Sequence, residues 1–202
     1  MSDLLHLEVS PLGEHSISRS ISKEFLETFI AQNPNAVIVS HDLANDPIPH
    51  LDGETLMAGR TAEADRTASA QSKHEYRLGL AQEVNEAKHI LISTPMWNFT
   101  VPSVLKAWID QIIVTGFTKV SGKVTLIISQ GGSYAPGAPR AGWDWETGYL
   151  RQVFSSIGAT DTEIILSEFG LAGVVPAMAD FVDRKNESIS AAKAAAAIRG
   201  GV

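Results

Sequence analysis

Short apolar runs punctuate this chain, and between them lie longer stretches whose apolar side chains recur at helical spacing. Residues 4–9 interleave His6 and Glu8 with leucine and valine and read as a first strand. Residues 18–32 place Ile21, Phe25, Phe29 and Ile30 at helical spacing, and Asn33-Pro34-Asn35 stops them. Residues 36–40 predict a second strand, after which 42–53 form an acidic, proline-bearing loop. The polar stretch 62–88 predicts a long helix with an apolar face, Leu78, Leu80, Ala81 and Val84, only in its second half. Strands over 89–93, 123–129 and 160–167 then alternate with helices over 103–114, 145–157 and 178–198. Such alternation implies an α/β fold in which a mostly parallel sheet is covered on both faces, and right-handed crossovers leave few topologies.

Composition narrows the chemistry. With 202 residues and 44% hydrophobic content, the chain can bury one full core, so residues 1–202 are expected to form a single domain. Sixteen basic against twenty-three acidic side chains leave a net charge of −7, which argues against nucleic acid or an anionic membrane as the main partner. A small molecule fits better. Cysteine is absent, which removes disulfides, thiolate catalysis, iron–sulfur clusters and cysteine-ligated zinc. Redox chemistry must then come from a cofactor. The first residues lack a basic segment followed by a long apolar one, and no run approaches the ~18 apolar residues of a membrane span, so a cytoplasmic address is expected.

Three loops carry the suggestive residues, and they follow the first, third and fourth strands. In a doubly wound sheet of order 2-1-3-4-5 these loops leave the same rim, at the switch point where such sheets bind ligands. The first, residues 10–19, brings Ser10, Ser16, Ile17 and Ser18 to a helix N-terminus, whose N–H groups and dipole suit a phosphate. It lacks both GxxxxGK[ST] and GxGxxG, so a monophosphate fits better than a triphosphate or a dinucleotide. Ordinary serine capping is the alternative. The second, Pro95-Met96-Trp97-Asn98-Phe99, offers soft and aromatic surface around an amide between two prolines, a combination suited to a flat heterocycle with polar edges. The third, Ser129-Gln130-Gly131-Gly132, lets backbone amides approach a ligand closely, or is a plain turn.

Other conspicuous residues are discounted. His15, His41, His50, His74 and His89 show no metal-ligand spacing, and no metal is assigned. Asp42, Asp46 and Asp52 read as an exposed acidic turn, and Ser129 lacks the GxSxG elbow of an esterase. Trp143 and Trp145 read as packing residues, with part of a substrate lid as the alternative.

Together, Ser10 with Ser16-Ile17-Ser18, the run Pro95 to Phe99 followed by Pro102-x-x-Leu105-Lys106-x-Trp108-Ile109-Asp110, and Ser129-Gln130-Gly131-Gly132 resemble the FMN-dependent NADH azoreductases, which also act as NAD(P)H:quinone oxidoreductases. The resemblance covers nearly the whole chain and implies a flavodoxin-like three-layer sandwich with a five-stranded parallel sheet. It implies that the first loop holds the FMN phosphate and that the second and third border the isoalloxazine ring. It further implies ping-pong transfer of two electrons from NADH or NADPH to a quinone or azo compound, and a homodimer. The apolar residues Val104, Leu105, Trp108, Ile109, Ile112 and Ile113 supply a face for that dimer, with burial inside the chain as the rival reading. Trp97 stands where the family usually has tyrosine, Gln130 where arginine is common, and the segment between Thr118 and Lys123 is short. An FMN electron carrier or a flavin-dependent redox sensor, neither oxidising NADH directly, are the alternative functions.

Overall fold

Alternation along the first strand decides which layer each side chain joins. In the computed structural model, which describes residues 1–201, β1 (Leu4–Glu8) sends Leu5 and Leu7 to one face of the sheet and Leu4 and His6 to the other. It is followed by α1 (Ile17–Gln32), β2 (Ile38–Asp42), α2 (Gly53–Ala58), α3 (Ala68–Glu86), β3 (His89–Pro95) and α4 (Ser103–Ile112). The chain continues through β4 (Lys123–Ser129), α5 (Glu146–Ser156), β5 (Thr162–Ser167) and α6 (Val182–Gly200). The five strands are all parallel in the order β2-β1-β3-β4-β5, the flavodoxin-like arrangement read from the sequence.

Two apolar clusters fill the space on either side. Leu5, Leu7, Ile90, Ile92, Leu126 and Ile128 pack beneath Val84 of α3, Trp108 and Ile112 of α4, and Phe154 of α5. On the opposite face Leu4, Leu91, Ile127 and Ile165 meet Ile21 and Phe25 of α1 and Ala192 and Ala196 of α6. Strands β1, β3 and β4 are therefore buried from both sides, which explains their nearly continuous apolar character.

Helix boundaries differ from the sequence reading at two places. The stretch 62–88 yields a helix only from Ala68, where the Thr67 hydroxyl accepts from the Ala70 N–H at 3.1 Å; before it stands the short α2, capped by Asp52. The closing helix starts at Val182, because Pro176–Phe181 is a tighter 3₁₀ segment in which Met178 leaves helical geometry at φ −117°. The apolar face of α4 is consumed within the chain: Leu105, Trp108, Ile109 and Ile112 all lie buried against the sheet. Among the described residues, no helix is long and apolar enough to cross a membrane.

Candidate functional site

Neighbouring strands bring the three loops together, and backbone hydrogen bonds lock them. Val9 donates its N–H to Ser93 at 3.0 Å, Met96 to Ser129 at 2.8 Å and Gln130 to Ser167 at 2.7 Å, so each loop leaves the rim tied to the next strand.

In the first loop Ser16 caps α1, its hydroxyl accepting from the Arg19 N–H at 3.3 Å while lying 3.2 Å from the hydroxyl of Ser18. Ser10, Ser16 and Ser18 are buried, and Ile17 is half-buried. The amides of Ile17 and Ser18, in the first helical turn, take no acceptor among the described residues. Beneath the loop, Arg19 donates from Nε to the Ser10 carbonyl at 2.9 Å and from Nη2 to Asp42 at 2.8 Å, and its Nε lies 3.3 Å from Glu8. Burial alone would raise the Glu8 carboxyl. The contact from His6 and the hydroxyls of Ser22 and Ser93 overcome it and hold this acid below the ordinary carboxylate range. Arg19 and Glu8 escaped the sequence reading because arginine in a serine-rich turn looks like a solvated surface residue.

The second loop is a two-residue turn. Trp97 and Thr100 exchange both backbone hydrogen bonds at 3.0 Å, with Asn98 at φ 48° and Phe99 at φ 72°. Positive φ at both central positions is the type I′ pattern, which favours Asn-Gly; phenylalanine in the second place costs on the order of 1 kcal/mol. The fold holds it there. Trp145 donates its N–H to the Phe99 carbonyl at 3.0 Å, and the Phe99 ring meets Tyr134 and Trp143 edge-on, with centroids at 6.1 and 5.1 Å. Met96 is buried in the core, Pro95 is half-buried, and Trp97 and Asn98 face outward. Among the described residues the Asn98 side-chain amide has no partner. A groove of about 460 Å³ runs along this turn between Trp97, Asn98, Pro102, Lys106 and Tyr149.

The third loop turns its carbonyls away from the rim. Those of Gln130, Gly131 and Gly132 accept from Gly170, Leu171 and Phe169 at 2.8, 3.0 and 3.3 Å. The N–H groups of Gly131 and Gly132 are left with no acceptor among the described residues. A Cβ on Gly131 would lie 2.9 Å from Leu171 Cδ1, whereas one on Gly132 would meet nothing within 4 Å, so Gly132 borders open space. Ser129 is half-buried. Gln130 is buried and committed inside the protein, donating from Nε2 to Asp144 at 2.8 Å, so it holds the loop rather than presenting its side chain at the rim. Segment 169–171 packs back against the first loop, since a Cβ on Gly170 would lie 3.2 Å from Ile17.

Behind the aromatic turn lies a residue that no pattern in the chain singles out. Glu146, at the start of α5, is fully buried; Thr94 donates to its Oε1 at 3.2 Å and Oε2 has no partner among the described residues. Burial pushes its carboxyl up to about 9, against the Thr94 hydrogen bond and with the nearby charge of Asp144 adding to the rise. An acid in a first helical turn ordinarily signals a favourable dipole contact at the surface, so the pattern points the wrong way. Asp144 accepts from the Thr147 N–H at 2.9 Å, a cap that its Asp-x-x-Thr spacing could have revealed.

Comparison with known proteins agrees with this architecture. A family model described as flavodoxin-like fold matches residues 2–197. An FMN-dependent NADH:quinone oxidoreductase from Frankia casuarinae is 41% identical, with all of both chains covered. The chain belongs to that family. A second relative of the same name, from Streptomyces coelicolor, is 36% identical over 90% of this chain and 86% of its own. Among solved structures, an azoreductase from Bacillus anthracis superposes with TM-score 0.84 at 22% identity, covering 100% of this chain and 99% of that one. An FMN-dependent NADH-azoreductase from the same organism, in complex with FMN, gives TM-score 0.79 at 21% identity, with 98% of each chain covered. At such identities the superpositions speak for the fold.

Proposed function

We propose that this chain is an FMN-dependent NADH:quinone oxidoreductase that also reduces azo compounds, with FMN lying across the three loops. The observation that carries this reading is the set of unspent donors on one rim: the first-turn amides of Ile17 and Ser18 beside three buried serine hydroxyls, the Asn98 amide, and the N–H groups of Gly131 and Gly132. With the loops following neighbouring strands β1, β3 and β4, the first set suits a phosphate at one end of a ligand and the other two a polar-edged ring at its other end. Bound FMN supplies two-electron hydride chemistry, with NADH as donor and a quinone or azo compound as acceptor.

The residues of this chain then have separable tasks. Ser10, Ser16, Ile17 and Ser18 receive the phosphate, helped by the positive end of the α1 dipole. Pro95, Met96, Trp97 and Phe99 fix the plane of the ring and exclude water from one side of it. Asn98 bonds the polar edge, and the amides of Gly131 and Gly132 stabilise negative charge that develops on the ring's pyrimidine side. Ser129 and Gln130 set the spacing between the second and third loops. We assign the apolar side chains left exposed near that rim, Leu171, Val174, Val175 and Trp145, to contact with a second copy, in place of the buried α4 face. The relatives' names support NADH as donor.

Anaerobic mixing of the FMN-loaded protein with NADH tests the function. Rapid bleaching of the flavin band and its return on adding menadione are expected; a band that stays unbleached identifies an electron carrier instead. The turn geometry yields a second expectation. Asn98→Gly keeps positive φ accessible and should leave the melting temperature within about 2 °C while weakening FMN binding roughly tenfold, the loss of about one hydrogen bond. Fluorescence titration reads both arms, and an unchanged affinity removes Asn98 from the site.

A further inference from the structure

Above the aromatic turn sits a cation held against aromatic rings, with no acid paired to it among the described residues. The segment between Tyr134 and Trp145 folds back on itself, Gly142 donating its N–H to the Tyr134 carbonyl at 3.1 Å, and Trp145 pins its far end to Phe99. This places the Arg140 guanidinium 5.6 Å from the Phe99 ring centroid and 5.9 Å from that of Trp143. Arg140 is exposed and forms no ion pair among the described residues. The nearby carboxylate of Asp144 is occupied by Gln130 and by capping α5. In a chain of net charge −7, an arginine held by aromatic faces rather than by an acid is placed to meet an anion from outside.

We propose that Arg140 determines acceptor specificity, selecting quinones and azo compounds that carry an acidic group directly on the aromatic ring, a sulfonate or carboxylate. The inference rests on the reading of the three-loop rim as the flavin site. The geometry favours such an acceptor over the donor's pyrophosphate. Guanidinium and aromatic surface are adjacent, so one ligand satisfies both when its charge is attached to its ring; in a dinucleotide a ribose separates the two. The planar fork of arginine also matches the paired oxygens of a sulfonate or carboxylate.

The test compares kcat/KM for 1,4-naphthoquinone-2-sulfonate and for neutral menadione in the FMN-loaded wild type, Arg140→Gln and Arg140→Lys. Arg140→Gln should lower the sulfonate value ten- to a hundredfold and the menadione value less than twofold, the span of one charge-assisted hydrogen bond. Arg140→Lys, which keeps the charge but loses the planar fork, should fall between wild type and Arg140→Gln with the sulfonate, and added salt should erode the wild-type preference but leave that of Arg140→Gln unchanged. Equal losses for both acceptors would mean that Arg140 merely supports the segment and would overturn the proposal. So would unchanged rates, or a rise confined to the KM for NADH. A wild type that NADH fails to bleach would refute the oxidoreductase reading itself, whereas wild-type turnover with an unaltered acceptor ratio in Arg140→Gln refutes only the role of Arg140.

Discussion

Glu146→Gln is expected to stabilise this protein by roughly 3 kcal/mol at pH 7 and to flatten its stability between pH 5 and 9. The carboxyl is buried, with a folded-state value of about 9 against an ordinary 4.5. Below pH 4.5 both folded and unfolded chains hold the proton, and the group imposes no pH-dependent cost. From there to pH 9 the unfolded chain releases its proton and the folded chain keeps it, so stability falls by about 1.4 kcal/mol for each unit of rising pH. Glutamine occupies nearly the same volume, can still accept from Thr94, and does not titrate. For a domain of this size the gain corresponds to a melting temperature higher by about 6–12 °C at pH 7, nearly vanishing at pH 4.5. Urea unfolding of both proteins at several pH values measures this, and parallel pH profiles would refute the neutral buried acid. The position also bears on the site, because Thr94 lies near the end of β3, three residues before Trp97 opens the turn.

Ser16→Asp should weaken FMN binding at least a hundredfold while leaving the fold intact and the weaker binding of riboflavin nearly unchanged. Aspartate is as good an N-cap as serine and can accept from the same Arg19 N–H, so capping alone predicts no loss of stability. A carboxylate beside a phosphate dianion is different. At about 4 Å each pair of like charges costs on the order of 1–4 kcal/mol, depending on exposure, and the capped helix offers no cation to offset it. Arg19 is already held by Asp42 and the Ser10 carbonyl, with Glu8 close by. Riboflavin has no phosphate and serves as the internal control. Equal losses for both flavins would indicate damage to the loop, and no loss for FMN would reduce Ser16 to a helix cap.

The layout of the sheet and the position of the three loops were legible because they follow from periodicity. Alternating Leu5 and Leu7, the apolar Val124, Leu126, Ile127 and Ile128 of β4 and the regular spacing of Ile21, Phe25 and Phe29 each constrain one element to its place, and parallel order then places the loops. Ser16 could be read from its place before a helix. What stayed hidden are pairings between residues far apart in sequence: Thr94 with Glu146, Gln130 with Asp144, Arg140 with Phe99. Each joins a strand or its loop to the segment around residues 134–146, which has no period. The positive φ of Phe99 was equally hidden, since phenylalanine is a poor residue for such a turn and only the packing of Tyr134, Trp143 and Trp145 holds it.

The placement of the flavin is the claim on which these expectations depend, and a crystal structure of the protein with FMN measures it directly. The phosphate should lie within hydrogen-bond distance of Ser16, Ser18 and the first amides of α1, with the ring between Asn98 and the N–H groups of Gly131 and Gly132. Density for the phosphate at another helix end, or for the ring away from the Trp97–Thr100 turn, would contradict it.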